Sequence, residues 1–204
     1  MAVCVLATAC GGAGEPEPER VTAERQCDDT LSPDAARALE TVLRTKRFDP
    51  DPQGGLERGA NDLVRDYEAA RGLTLNRPMC SVTAPTGSDT VDLRFGLYVD
   101  DDLLGNVHPR GLHPYGMGVE AHSGPKKAYL FVRCVSPRLK GSGERPARIR
   151  GTLTFHESEL PDTVPVREAT LTVLHSVTLA VVRKLGCEND AGLDAEPVFT
   201  PLPE

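Results

Sequence analysis

The side chains of this chain best suited to chemistry are crowded into one stretch, YVDDDLLGNVHPRGLHPYGMGVEAHSG. Asp100, Asp101 and Asp102 supply carboxylates, and His108, His113 and His122 supply imidazoles. Both groups bind divalent metals in their deprotonated forms, and a bound metal activates water for hydrolysis. The ligands of such a site would be drawn from His108, His113 and Asp101. Spacing and backbone argue against it. His108 and His113 each precede a proline, which favours extended or turn backbone over a helix presenting both rings. Three consecutive aspartates read as a solvated turn, because a calcium loop needs its glycine and distal glutamate at fixed positions. No metal and no cofactor is therefore assigned.

Other reactive residues fare no better. Ser81, Ser88, Ser123, Ser136, Ser142 and Ser158 lack the strained G-x-S-x-G turn that exposes a nucleophilic serine. HSGPKK and KGSGER resemble fragments of a phosphate-binding loop but lack its spacing and its Lys-Ser/Thr ending, so they read as hairpin loops. His175 sits within an apolar helical pattern and is expected to be half-buried and hydrogen-bonded. No catalytic residue is assigned.

The elements that must position these residues follow from periodicity. TLSPDAARALETVLRTKRF offers Ser32 as an N-cap and Pro33 at the first helical position, with Ala35, Leu39, Val42 and Leu43 at helical spacing. LERGANDLVRDYEAARG continues as a second helix, with Leu56, Ala60, Leu63, Val64 and Tyr67 on one stripe and Gly72 as its stop. DTVPVREATLTVLHSVTLAVVRKLG predicts a long third helix. Asp162 or Thr163 caps it, Leu171, Leu174, Val181, Val182 and Leu185 form its stripe, and Gly186 ends it.

Between the second and third helices the period changes to two. In TVDLRFGLYVD, alternation places Val91, Leu93, Phe95, Leu97 and Val99 inward. KKAYLFVRCV is a more continuous apolar strand, GMGVEAHS a short one, and ARIRGTLTFHE places Ile149, Leu153 and Phe155 inward. Two helices, consecutive strands and one long helix predict an α+β fold. It has an antiparallel sheet of four to five strands, helices packed on one face, and two disulfides. Alternation then puts Arg94, Arg133, Arg148 and Arg150 on the opposite sheet face, with Tyr98, Tyr129, Phe131 and His156. Arginine and aromatic side chains are the types enriched where partners bind. The partner-binding candidates are Arg94, Arg133, Arg148, Arg150, Tyr129 and Phe131.

Composition narrows the remaining choices. The chain has 204 residues, enough for one domain and a tail. Tryptophan is absent and aromatics make up 4%, so the core must rely on Leu, Val and Ala. A formal charge of −7 argues against general binding to nucleic acid or anionic membrane surfaces, which needs a basic surface. No apolar stretch reaches the ~18–20 residues that span a bilayer. The mature part is expected to be soluble.

The opening, MAVCVLATACGGAGEPEPER, is apolar up to Cys10 and then turns rich in Gly, Pro and Glu. Small residues ahead of a processing point suit a signal-peptidase groove. VLATACGG resembles the lipobox of bacterial lipoproteins, in which the cysteine is lipidated; Ala7 stands where that family usually has leucine. The resemblance implies lipidation at Cys10. The expected organisation is a truncated lipoprotein-type signal segment at 1–10, a flexible tether at 11–26, a single α+β domain at 27–190 and a proline-marked tail at 191–204.

Removing Cys4 and Cys10 leaves Cys27, Cys80, Cys134 and Cys187. None belongs to a C-x-x-C pair, so they read as two disulfides of an oxidising compartment rather than zinc ligands. Three connectivities are possible. If Cys80 begins the first of four antiparallel strands and Cys134 ends the fourth, both lie at one end of the sheet. Cys80–Cys134 would then leave Cys27–Cys187.

Ala128, Tyr129, Leu130, Cys134, Ser136 and Pro137, followed by Leu185, Gly186 and Cys187, resemble a family of secreted or lipid-anchored proteins from high-GC actinobacteria. The resemblance implies export and paired cysteines and carries no activity. The expected function is that of an exported, lipid-anchored cell-envelope protein with a non-enzymatic binding or structural domain. Its partner would be an envelope component, its membrane contact the lipid anchor alone, and nucleic acid no ligand. The alternative is an extracytoplasmic metal-dependent or hydrolytic enzyme using the Asp/His loop.

Overall fold

Helix α3, Val164–Leu185, sets the architecture of the chain. The computed structural model describes residues 19–51, 55–69, 75–105, 109–156 and 160–203. Pro165 lies in the first turn of α3, and Gly186, with φ 71°, closes it in the left-handed conformation that favours glycine. Leu171, Val173, Leu174, Val177, Leu179, Val181, Val182 and Leu185 are all buried, on every side of the helix. A helix apolar all round must be covered all round. The sheet covers one side, and α1 (Pro33–Leu43) and α2 (Leu56–Glu68) pack on others.

Polar residues inside this helix are accounted for locally. Thr170, Thr172 and Thr178 donate to carbonyls one turn back, at 2.8, 2.8 and 2.7 Å. The Ser176 hydroxyl accepts from the Ser32 N–H at 2.8 Å and donates to the Thr30 carbonyl at 2.9 Å, pinning α3 to the start of α1. Ser32 is the N-cap of α1, as its sequence predicts, accepting from the Ala35 N–H at 3.2 Å.

Six strands form one sheet: β1 (Arg77–Thr83), β2 (Thr90–Leu97), β3 (His113–Tyr115), β4 (Glu120–Ser123), β5 (Lys127–Cys134) and β6 (Ala147–His156). Their order is β1-β2-β6-β5-β4-β3, and every neighbouring pair is antiparallel. The fold is α+β, with one strand more than the four to five expected. The additional strand is β3, too short for an alternation signal and containing Pro114, which confines it to an edge. Its outer side is covered by the C-terminal segment. The Gly116 N–H donates to the Thr200 carbonyl (2.8 Å), the Leu202 N–H donates to the Pro114 carbonyl (3.1 Å), and the Phe199 ring meets Tyr115 edge to face. Covering an edge in this way removes its unpaired backbone groups from other chains.

Val91, Leu93, Phe95, Ile149, Leu153 and Phe155 point toward the helices and are buried. Leu97 is half-buried and Val99 exposed, contrary to the alternation, because β2 ends at Leu97 and the chain turns away into a 3-10 turn at Asp100–Asp102. Helix α2 ends at Glu68, so Gly72, its expected stop, lies outside the described residues. Ala23 and Leu193, at the two ends of the domain, are buried in the same core.

The two disulfides are Cys27–Cys80 and Cys134–Cys187, with Cα atoms 5.2 and 5.1 Å apart. This corrects the pairing drawn from four consecutive strands. β2 and β6 lie between β1 and β5. Cys80 lies level with Leu93, Leu153 and Ala128, so Cys134 stands ~14 Å away across the sheet and a further ~20 Å along β5, at the opposite end rather than the same one. A disulfide spans only ~7 Å. Instead, one bridge clips the segment before α1 to the edge strand β1. The other clips the end of α3 to the end of β5. Among the described residues, no helix is long and apolar enough to cross a membrane.

Candidate functional site

Register, rather than sequence proximity, assembles the face turned away from the helices. One row crosses the sheet as His122, Tyr129, Thr152 and Arg94. The next runs Glu120, Phe131, Arg150 and Gly96, and a third pairs Arg133 with Arg148. Beyond Arg148, the Tyr98 N–H donates to the Arg148 carbonyl at 2.9 Å. Arg94, Arg133, Arg148, Arg150 and Tyr129 therefore share one face. The Lys127 ammonium adds a further cation, 5.8 Å from the centre of the Tyr129 ring.

Two aromatics assigned to this face are on it but not at its surface. Tyr98 and Phe131 are 3% and 1% exposed, with ring centroids 5.1 Å apart in an edge-to-face contact. They form a small apolar cluster separate from the main core. Phe131 is thus corrected from a partner contact to a buried support. The cover comes from the chain leaving β2, which straps back across the sheet over residues 99–105. Asp100 meets Arg148 at 3.0 Å and Asp102 approaches Arg150 at 3.9 Å. The N–H groups of Leu104 and Gly105 then donate to the two carboxylate oxygens of Glu120 on β4, at 2.7 and 3.0 Å. Nearby, the carbonyl of Leu75 lies over Gly96, where any side chain would collide with it.

The residues weighed for metal chemistry are dispersed by this arrangement. Asp101 is exposed on the strap, and Asp102 accepts from the Val99 N–H at 2.9 Å. His113 Nε2 lies 3.1 Å from Asp162 Oδ2, and Arg167 donates to the other oxygen at 2.8 Å. Burial works to raise the Asp162 carboxyl, but the hydrogen bonds from His113 and Arg167 outweigh it and hold the group below the usual range. His122 is fully buried, with Nε2 2.9 Å from Glu120. His108 lies outside the described residues. Among the described residues, no three His, Cys, Asp or Glu side chains come together as metal ligands would.

Two Ser/His/Asp groupings occur among the described residues, and neither has the order that nucleophilic catalysis needs. Ser81 donates to Asp92 Oδ1 at 2.9 Å while His156 meets Asp92 Oδ2 at 3.1 Å, so the carboxylate separates the hydroxyl from the imidazole that would deprotonate it. Ser123 lies opposite His113 in the β3–β4 pair, but it is buried and donates to the Arg167 carbonyl at 2.9 Å. Ser136 and Ser142 are buried and bond to each other across the β5–β6 loop. Ser158 lies outside the described residues. His175 is 2% exposed, more deeply buried than its sequence context implied. Burial drives its pKa down against a hydrogen bond to the Asp194 backbone, which favours the neutral ring.

Sequence reasoning found the arginines but not their counter-ions. Asp100 and Asp102 reach the face through a strap with no periodicity of its own. The available signal was charge, since four arginines on one sheet face require carboxylates nearby or a partner that brings them. The fold is α+β, with one sheet face covered by helices and the other carrying the arginines. Comparison with protein-family models, with curated proteins and with solved structures finds no match.

Proposed function

We propose that this protein is an exported, lipid-anchored component of the cell envelope whose open sheet face binds another envelope component. The observation that carries the binding role is the convergence of Arg94, Arg133, Arg148, Arg150 and Tyr129 on one face of a rigid sheet. Arginine and tyrosine dominate binding energetics at interfaces because each offers wide contact area together with fixed hydrogen-bond donors. Two disulfides support an oxidising compartment. The anchor rests on the lipobox-like VLATAC ending at Cys10, which lies outside the described residues.

Arg148→Glu combined with Arg150→Glu is expected to weaken capture of the envelope component by about a hundredfold, because both substitutions reverse charge at the centre of the face. Pull-down from envelope extract, with wild type as the reference, measures this. Unchanged capture would remove the face from the binding role. For the anchor, detergent-phase partitioning is expected for wild type and lost in Cys10→Ser. Equal aqueous partitioning of the two forms would exclude lipidation.

A further inference from the structure

The strap shows what kind of ligand the arginines accept. Arg148 and Arg150 stand two residues apart on β6 and project from the same face, so their Cβ atoms repeat at ~6.7 Å. The carboxylates that meet them, Asp100 and Asp102, are likewise two residues apart. Arg133 lies directly across from Arg148 on β5, and like charges so placed repel. No carboxylate of the described residues makes an ion pair with Arg133; its neighbour is the buried Tyr98 hydroxyl. Three guanidinium groups are thus offset by two carboxylates. Asp100 is 61% and Arg148 40% exposed, and a pair so open to water is readily exchanged. Beneath them, Arg150 Nε and Thr152 Oγ1 are buried without a hydrogen-bond partner among the described residues.

We propose that Arg133, Arg148 and Arg150 form the docking site for an extended acidic segment of a partner polypeptide, with carboxylates on alternate residues. Asp100 occupies the site in the free protein as that segment's stand-in. The proposal rests on the binding role of the open face and names its partner's chemistry. An extended chain carries alternate side chains at the same ~6.7 Å repeat as Arg148 and Arg150. Asp102 also holds the Val99 N–H and stays beside Arg150, whose side chain is 15% exposed. Asp100 is therefore the carboxylate that gives way: one carboxylate of the segment replaces it on Arg148 and Arg133, and the next meets only the open edge of Arg150.

The test uses the full chain and a labelled Asp-Tyr-Asp-Tyr-Asp peptide, followed by fluorescence anisotropy at about 20 mM salt. Saturable binding is expected, weakening about tenfold at about 200 mM salt as the charges are screened. Arg133→Ala with Arg148→Ala should weaken it about tenfold or more. Asp100→Asn, nearly isosteric and at the surface, should tighten it about two- to fivefold by removing the internal competitor. Equal binding of Lys-Tyr-Lys-Tyr-Lys, competition by inorganic phosphate at equal charge, or no tightening in Asp100→Asn would each overturn the proposal. If the peptide fails while Arg148→Glu/Arg150→Glu still loses envelope capture, the acidic chemistry falls and the binding role of the face stands. If neither responds, both fall.

Discussion

Replacing Cys134 and Cys187 with serine is expected to lower the unfolding free energy by about 4 kcal/mol, and replacing Cys27 and Cys80 by a similar amount. The equality follows from topology. Each bridge spans 53 residues of sequence, so each removes the same loop-closure entropy from the unfolded chain. The four cysteines are also buried, between 0% and 8% exposed, so serine hydroxyls at these positions would need partners that a packed thioether-like environment does not supply. Domains are stable by only about 5–15 kcal/mol. Losing both bridges should therefore leave this aromatic-poor core at or below its folding threshold. Urea unfolding of the two serine pairs measures the effect. Intact mass after alkylation without reductant provides the companion test, in which Cys27, Cys80, Cys134 and Cys187 should all resist labelling. Full labelling of the native protein, or a loss below about 1 kcal/mol in both pairs, would show that the sulfurs are not bonded in the working protein. The oxidising compartment would fall with them.

What sequence could show here was whatever is decided within one element. The Ser32 cap, the Gly186 stop and the alternation in β6 and in β2 as far as Phe95 depend on neighbours a few residues away, and each is where the pattern puts it. Features that depend on strand order were illegible. The cysteine pairing turns on β6 inserting between β2 and β5, which no local signal announces. Likewise Phe131 reads as an outward residue and is outward, yet the strap from Asp100 to Gly105 buries it by bonding to Arg148 and Glu120. The C-terminal prolines mark a tail and give no sign of what it pairs with. They are compatible with pairing because the bridge at Tyr115–Pro201 draws on the N–H groups of Gly116 and Leu202 rather than on proline.

The contact on which the whole face is supported from behind lies at Gly151, opposite Phe95 and Leu130 in the middle of the sheet. A glycine inside a strand ordinarily weakens it, and adding a methyl group in open space would stabilise the fold by about 0.4–1 kcal/mol through the unfolded chain. Here the space is taken. A Cβ at Gly151 would stand 3.0 Å from Phe95 Cε1, 3.0 Å from Thr178 Oγ1 and 3.1 Å from Leu174 Cδ1, with two of the three atoms on α3. The helix rests on the sheet at this residue, so crowding outweighs the entropic gain. Gly151→Ala is expected to cost about 1–2 kcal/mol, and Gly151→Val about 3 kcal/mol as the branched side chain drives α3 from the sheet. Leu174→Ala alone should cost about 2–5 kcal/mol by leaving a cavity. In the Gly151→Ala/Leu174→Ala double variant, the added methyl enters that cavity, so the combined loss should fall short of the sum by about 1 kcal/mol. Chemical denaturation of the four-member cycle reads this coupling. Strict additivity, or a stabilising Gly151→Ala, would mean that α3 does not bear on the sheet at this point, and that the rigidity lent to Arg148, Arg150 and Thr152 on the reverse side has some other origin.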